Sequence, residues 1–479
     1  MTDEPGSTKR APRVLRLTPH FYWPQLADSS WPVKFDAIGG MQSQIYRVTK
    51  ALDDAGVDQT VLTLQIPGAP RSWQMSEHTE VRGVRVPIFP RRSRIRGMVD
   101  LNLSWALGVF GYLLRNRRRP DLLHVHCSGV IIPPLTGWIL CKLLRAPLVL
   151  TVHCSINVTY HPMNALDRML QPLARWIECR AIRAAACTIT LTPRTAPLLA
   201  KQTGLPEDAF VVLPDVIDAD AFAALATPEA VAALREAWKL PADVAVIGYV
   251  GRIAREKGWP IILDIAEELR GEPIHSLICG DGNERDLFEL DVARRGLTDS
   301  VTVTGYLSND EVPSAMGAMD LMLMAPLHEE FGSVMLEAMA VGLPIVAVGV
   351  GGVANVLENG ELGMLVPERT AGAFATGIRA ALADPQWRAV TAERAATAVR
   401  AKYDLALVAG MMADLYRLVH QEGQAGKGTG QGRRMGQVGR MGQGRRNAAA
   451  DRWPVTEAQR NKRYPAAVTN KARSGAASP

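Results

Sequence analysis

From Arg13 onward, short apolar runs alternate with longer amphipathic stretches, the pattern of repeated strand–helix units around a parallel sheet. The first series predicts strands over Val14–Leu17, Gln59–Leu64, Val84–Phe89, Leu122–Cys127, Leu148–His153, Cys187–Leu191 and Val211–Leu213. A helix is predicted to begin just after Gly39-Gly40 and to end near Gly56, a residue suited to a left-handed C-cap. A second series starts afresh at Val244–Val250 and continues through Ser276–Cys279, Val301–Thr304, Leu321–Met324, Ile345–Val348 and Gly363–Val366. That restart marks a second domain. The segment Pro214 to Pro241 is expected to hold the hinge, and a last helix around Leu405–His420 is placed to cross back onto the first domain. The predicted division is therefore 13–215, 216–404 and a crossover helix over 405–422, with disordered ends at 1–12 and 423–479.

Length agrees with this division, because 479 residues exceed the roughly 250–300 at which a single core stops growing. Composition adds that 47% hydrophobic and 21% charged residues suit an α/β enzyme with a sizeable core. Charge looks basic until it is located. Residues 423–479 hold twelve Lys/Arg against Asp451 and Glu457, a net +10, so in a chain of +6 the remainder carries −4. The folded body thus has no basic excess to mark a nucleic-acid groove. The tail, GQAGKGTGQGRRMGQVGRMGQGRR and beyond, is too poor in apolar residues to offset the entropy of ordering. Arg/Gly repeats can bind RNA, but a solvated tail is the plainer reading and no nucleic-acid partner is expected.

Six cysteines without a C-x-x-C pair read as reduced core thiols. The N-terminus lacks an uninterrupted apolar stretch of signal-peptide length, and the run Val130 to Leu150 is broken by Pro133, Pro134, Lys142 and Arg145. A cytoplasmic protein without stable membrane insertion is expected. No histidine pair stands at helical i, i+4 spacing; His124 and His126 share a strand face and could hold a metal only with further ligands, and neither a metal nor another cofactor is expected.

The chemistry concentrates in the second series. Strand Val246–Val250 runs into GRIAREKGW, which puts Gly251, Arg252 and Lys257 just beyond the carboxyl end of a parallel strand, where open α/β sheets bind ligands. Two cations beside the amides of a glycine turn suit a diphosphate; the alternative is a solvated basic loop pairing with Glu256. After Leu321–Met324 comes HEEFGSVMLEAMAVGLP, in which Phe331, Gly332 and Ser333 open a helix whose free N–H groups can face phosphate. Glu337 can reach a ribose diol and Glu329 sugar hydroxyls. Their plainer alternatives are a surface helix glutamate and a capping carboxylate.

Together the segments Gly251 to Gly258 and Glu329 to Gly342 resemble the retaining glycosyltransferases of family 4, of the type with two facing Rossmann-like domains and a cleft between them, known as GT-B. Gly280-Asp281-Gly282 and Gly305-Tyr306-Leu307 match that family's glycine turn and base-binding loop, whereas Asn355 in GGVAN departs from the glutamate of many members. The resemblance implies Arg252 and Lys257 on the donor diphosphate, Glu337 on its ribose, Glu329 on the transferred sugar, Gly280 at the donor turn and backbone near Leu307 on the base. It also implies a same-face displacement in which the departing diphosphate takes the acceptor proton. His153, at a strand end, matches the family's active-site histidine; a lone strand-end histidine is otherwise more often structural. Gly39 and Gly40 would bring backbone amides to the donor from across the cleft.

In the first domain, WPVKFDAIGGMQSQIYRVTKAL, SRIRGMVDLNLSWALG and LTVHCSINVTYHPMNALDR are similar to the aminocyclitol glycosyltransferases of aminoglycoside antibiotic biosynthesis, which attach N-acetylglucosamine to 2-deoxystreptamine. The resemblance implies a UDP-sugar donor and a small cationic acceptor, and Asp36 is placed to pair with that acceptor or else to cap a loop. Other readings are an inositol-phosphate or lipid-linked acceptor, the latter prompted by the basic clusters PRRSRIRG and RNRRRP, and an epimerase or phosphorylase on the same fold.

Overall fold

The structure, a computed structural model, describes residues 12–24, 40–66, 68–85, 98–116, 119–159 and 165–428. The first series of strands forms one eight-stranded sheet: β1 (Val14–Leu17), β2 (Gln59–Leu64), β3 (Ser72–Gln74), β4 (Thr79–Val84), β5 (Leu122–Ser128), β6 (Leu148–Cys154), β7 (Cys187–Thr190) and β8 (Phe210–Val212). Their order is β3-β4-β2-β1-β5-β6-β7-β8, parallel throughout except for the β3–β4 hairpin pair. The second sheet contains β9 (Ala245–Val250), β10 (Ile274–Cys279), β11 (Val301–Gly305), β12 (Leu321–Met324), β13 (Ile345–Val348) and β14 (Met364–Val366). Its order, β11-β10-β9-β12-β13-β14, is that of a dinucleotide-binding fold, with the direction of winding reversing between β9 and β12.

The central strands of both sheets lie between layers of helices and read as apolar runs buried throughout, as in β12 and β13, whereas the edge strands are partly exposed. Helix Gly40–Asp54 turns Ile45, Val48 and Leu52 inward and stops where Gly56 N bonds back to Asp53 O. The last helix, Leu405–Gly428, packs Val408, Met412, Leu415, Tyr416 and Val419 on the first sheet. The chain thus passes between the sheets twice, and the two passages are fastened together where Ile217 N donates to Tyr403 O at 3.0 Å.

Two features depart from expectation. The sequence placed no strand over Thr79–Val84, where β4 runs in parallel register with β2, pairing Gln59 with Thr79 and Leu64 with Val84; of the strand expected at Val84–Phe89, residues 86–89 lie outside the described residues. The last helix does not stop at 422 but continues to Gly428, lying against the first domain where Gly423 faces Pro147. The remainder of the predicted disordered ends, 1–11 and 429–479, falls outside the described residues.

Candidate active site

The loops after β9 and β12 flank the point where the second sheet reverses its winding, and they are built into one another. Leu327 N donates to Glu256 O at 2.9 Å. Gly258 has φ +91°, and a Cβ there would stand 1.9 Å from Ala325 O, so only glycine lets the first loop pass this close to the second. The close passage brings Lys257 Nζ to 2.7 Å from Glu329 Oε2. Arg252 donates to Glu256 at 2.8 Å, the pairing of the plainer alternative. It leaves the cation on the same loop, a turn away from Lys257.

Gly332, at φ +84°, turns the chain into helix Ser333–Ala340. Phe331 points away from the cleft into the core, edge-on to Tyr403 at 5.8 Å, so it anchors the turn. The helix N-terminus meets the first domain: Ser333 Oγ donates to Asp215 Oδ2 at 2.5 Å, and a Cβ on Gly40 would be 3.4 Å from Ser333 Oγ. The N-termini of helices Gly40–Asp54 and Ser333–Ala340 therefore converge, with their free amides and positive dipole ends on one locus. Burial pushes the Asp215 carboxyl up to about 7, against the lowering effects of Ser333 and Arg47. One further turn in, Arg47 Nη2 donates to Glu337 Oε1 at 2.9 Å.

Gly280 lies beside Gly251, whose carbonyl would be 1.8 Å from a Cβ on Gly280, and bridges to Gly305. The carboxyl ends of β9, β10 and β11 are thereby tied together. Leu307 packs against the core from the next loop. Neighbouring Tyr306 has a buried hydroxyl without a hydrogen bond, and its pKa is pushed up to about 12 by burial, with Tyr22 of the first domain adding to the effect.

From the first sheet, His153 Nε2 lies 3.0 Å from His126 Nδ1, and His126 Nε2 lies 3.1 Å from Arg16 Nη2. Burial and the Arg16 charge bring the His153 pKa down to about 3, so its imidazole is neutral at physiological pH. His124 bonds Tyr416 OH at 2.6 Å and Thr151 Oγ1 at 2.7 Å. These histidines hold each other and their neighbours; among the described residues no group of three His, Cys, Asp or Glu side chains is arranged to hold a metal. Next to His153, Cys154 lies within electrostatic reach of Glu330, Glu178, Glu329 and Lys257, which places the end of β6 opposite the donor-side loop. Asp36 and Gly39 fall outside the described residues.

Arg47, Asp215 and Glu330 were not singled out from the sequence. Arg47 sits seven residues past Gly40 on the same helix, a spacing that repeats one helical face, and was in principle readable. The other two show their place only through partners in the opposite domain.

A parallel sheet wound in dinucleotide-binding order, carrying cations and carboxylates at its reversal point and facing a second such sheet, defines a GT-B glycosyltransferase. Comparison with known proteins identifies its relatives. The pattern of the glycosyl transferases group 1 matches residues 231–398, and that of the glycosyl transferase 4-like domain matches 39–215. The 2-deoxystreptamine glucosyltransferase of Streptomyces kanamyceticus is 40% identical over 350 residues, covering 72% of this chain and 90% of that protein. The 2-deoxystreptamine N-acetyl-D-glucosaminyltransferase of Streptomyces fradiae is 38% identical over 78% of this chain and 89% of its own. The chain belongs to this glycosyltransferase family. Among solved structures, sucrose-phosphate synthase from Thermosynechococcus elongatus superposes with a TM-score of 0.71 at 23% identity, over 86% of this chain and 99% of its own. Anabaena HepE in complex with UDP and glucose gives 0.65 at 20%, over 85% and 99%. These two share the fold. No helix among the described residues is long and apolar enough to cross a membrane.

Proposed function

We propose that this protein transfers N-acetylglucosamine from its UDP donor to an aminocyclitol such as 2-deoxystreptamine, with retention at the anomeric carbon. The observation that carries the reading is the 2.7 Å pairing of Lys257 with Glu329 at the reversal point of the second sheet, opposite the His153 end of the first. The names of the relatives from Streptomyces support the acceptor class.

On this reading, the diphosphate takes the place of Glu329 on Lys257, and Arg252 and the convergent amides of the two helix N-termini add to its stabilisation. Glu337 takes the ribose diol and Glu329, released from Lys257, the hydroxyls of the sugar. The bond from C1 to the diphosphate oxygen breaks, the acceptor oxygen bonds C1 on the same face, and the acceptor proton passes to the departing phosphate. Charge then builds on that phosphate in a site of fixed donors, where stabilisation is largest. Neutral His153 can donate or accept a hydrogen bond at the sugar without adding a charge.

Purified protein incubated with 2-deoxystreptamine and, separately, UDP-N-acetylglucosamine and UDP-glucose tests this by product mass. Addition of one N-acetylhexosamine, abolished by Glu329→Ala, is the expected result. Transfer of hexose from UDP-glucose instead would revise the donor. No transfer from either, with UDP still bound and Lys257→Ala weakening it, would overturn the acceptor while leaving the donor site standing.

A further inference from the structure

Glu329 and Glu330 are neighbours, yet their side chains reach into different domains. Glu329 turns to Lys257. Glu330 is 6% exposed, and its Oε2 accepts a 2.7 Å hydrogen bond from Thr159 Oγ1 while its Oε1 accepts one from Thr195 Oγ1. Both threonines are buried residues of the first domain. Burial would raise the Glu330 pKa, but the His328 imidazole and the two hydroxyls more than offset it and hold the carboxyl below its usual range.

Thr159 closes the loop that follows His153, and a second buried carboxylate shapes that loop. Glu178, on helix Ala165–Ala184, accepts from Ser155 Oγ at 2.9 Å, Ile156 N at 2.9 Å, Asn157 N at 3.0 Å and Asn157 Nδ2 at 2.6 Å. A continuous chain of bonds therefore runs from Glu178 through the loop to Thr159, across the domain boundary to Glu330, and along one peptide to Glu329. Buried ionic groups of this kind add little net stability compared with apolar side chains of similar volume. What they do impose is one relative placement, since a carboxylate left without its partners is costly to bury.

We propose that Glu330 is a positioning residue for sugar transfer, fastening the Glu329 loop to Thr159 and Thr195 so that the His153 side of the reaction centre is held against the donor side. This rests on the glycosyl-transfer reading above. Loss of the fastening leaves Arg252, Lys257 and Glu337 in place, so donor affinity persists while the sugar loses its alignment and gains access to water.

The test compares wild type with Glu330→Ala, Glu330→Gln and Thr159→Val for transfer, donor hydrolysis and donor KM. Misplacement on the ångström scale predicts that Glu330→Ala lowers kcat for transfer about 10–100-fold and raises the hydrolysed fraction at least about 5-fold, with donor KM within about 3-fold. Thr159→Val should shift the same ratio, and the double variant should be no worse than Glu330→Ala, because both remove one interaction. Glutamine should recover much of the loss, its carbonyl accepting from one threonine and its amide donating to the other. A wild-type hydrolysis fraction in Glu330→Ala, or losses that multiply in the double variant, would overturn the proposal. Should Glu330→Ala not fold, Thr159→Val and Thr195→Val carry the same comparison. If the wild type glycosylates no aminocyclitol, the acceptor reading has failed separately. The fastening is then read by X-ray scattering with UDP bound: a larger radius of gyration in Glu330→Ala supports it, and an unchanged one overturns it.

Discussion

Arg47 Nη2 lies 2.9 Å from Glu337 Oε1, so the leading helix of the first domain already occupies the carboxylate proposed to take the donor ribose. Both side chains are a little under one-fifth exposed. A ribose diol that takes both oxygens of Glu337 displaces this pair. A partly exposed ion pair is worth about 0.5–1 kcal/mol, so Arg47→Met should tighten UDP about 2–5-fold, whereas Glu337→Ala should weaken it. Isothermal titration with UDP reads both, and weaker binding by Arg47→Met would show that its guanidinium contacts the nucleotide directly.

Gly258 joins the two loops of the donor site, and alanine there meets both an unfavourable φ and the Ala325 carbonyl at 1.9 Å. Gly258→Ala should destabilise the protein by about 2–4 kcal/mol and part Lys257 from Glu329. Urea unfolding measures the first effect and UDP affinity the second. A variant with unchanged affinity would mean that the Lys257–Glu329 pair does not depend on this approach.

His124, His126 and His153 are all held below the ordinary histidine range, by burial first, with the Arg16 charge adding to the effect at all three and neighbouring histidines at His124 and His126. Their lowered pKa values favour folding fully above about 6.5, and that contribution is lost as pH falls and the unfolded chain takes up protons that the folded chain refuses. Each histidine adds up to about 1.4 kcal/mol per pH unit to the slope. Stability should therefore fall steeply from pH 6.5 to 5, and His126→Gln should lessen the slope by about one proton. Unfolding curves across that interval give the proton count. The same low value for His153 predicts that kcat/KM shows no ionisation of this residue between pH 5 and 8.

Asp215 works in the opposite direction. Burial lifts its pKa to about 7, so its contribution is full below about 3.9 and is lost as pH rises through 7. Asp215→Asn keeps an acceptor for Ser333 and has nothing to ionise. Relative to wild type, the variant should gain stability between pH 5 and 8, by about 2–4 kcal/mol at most. Thermal unfolding at the two ends of that range checks the sign, and a variant less stable at pH 8 than at pH 5 relative to wild type would contradict the burial argument.

Both donor-site segments were readable because their chemistry lies within short stretches: Gly251 to Gly258 and Glu329 to Glu337 each follow a strand that an apolar run announces. Strand β4, which the sequence did not announce, shows where reading along the chain fails. TEVRGV alternates weakly, and its place is set by pairing with Gln59–Leu64, not by its own composition. The short edge strand Ser72–Gln74 is mostly exposed and gave no apolar signal.

The division into two α/β halves, the strand-end position of Lys257, Glu329 and His153, and the membership of the glycosyltransferase family were all legible in the linear chain. Periodicity, turn glycines and short motifs are local properties, and local spacing fixes them. The partners were not. Arg47 and Glu337 are 290 positions apart, and Glu330 lies 171 positions from Thr159 and 135 from Thr195. No pattern of neighbours encodes such pairs, because they exist only once two separately wound sheets have packed face to face. Folding likewise decided that His126 would hold His153 and that Glu330, not Glu329, would join the domains: burial removed their water and left only the partners that packing supplied.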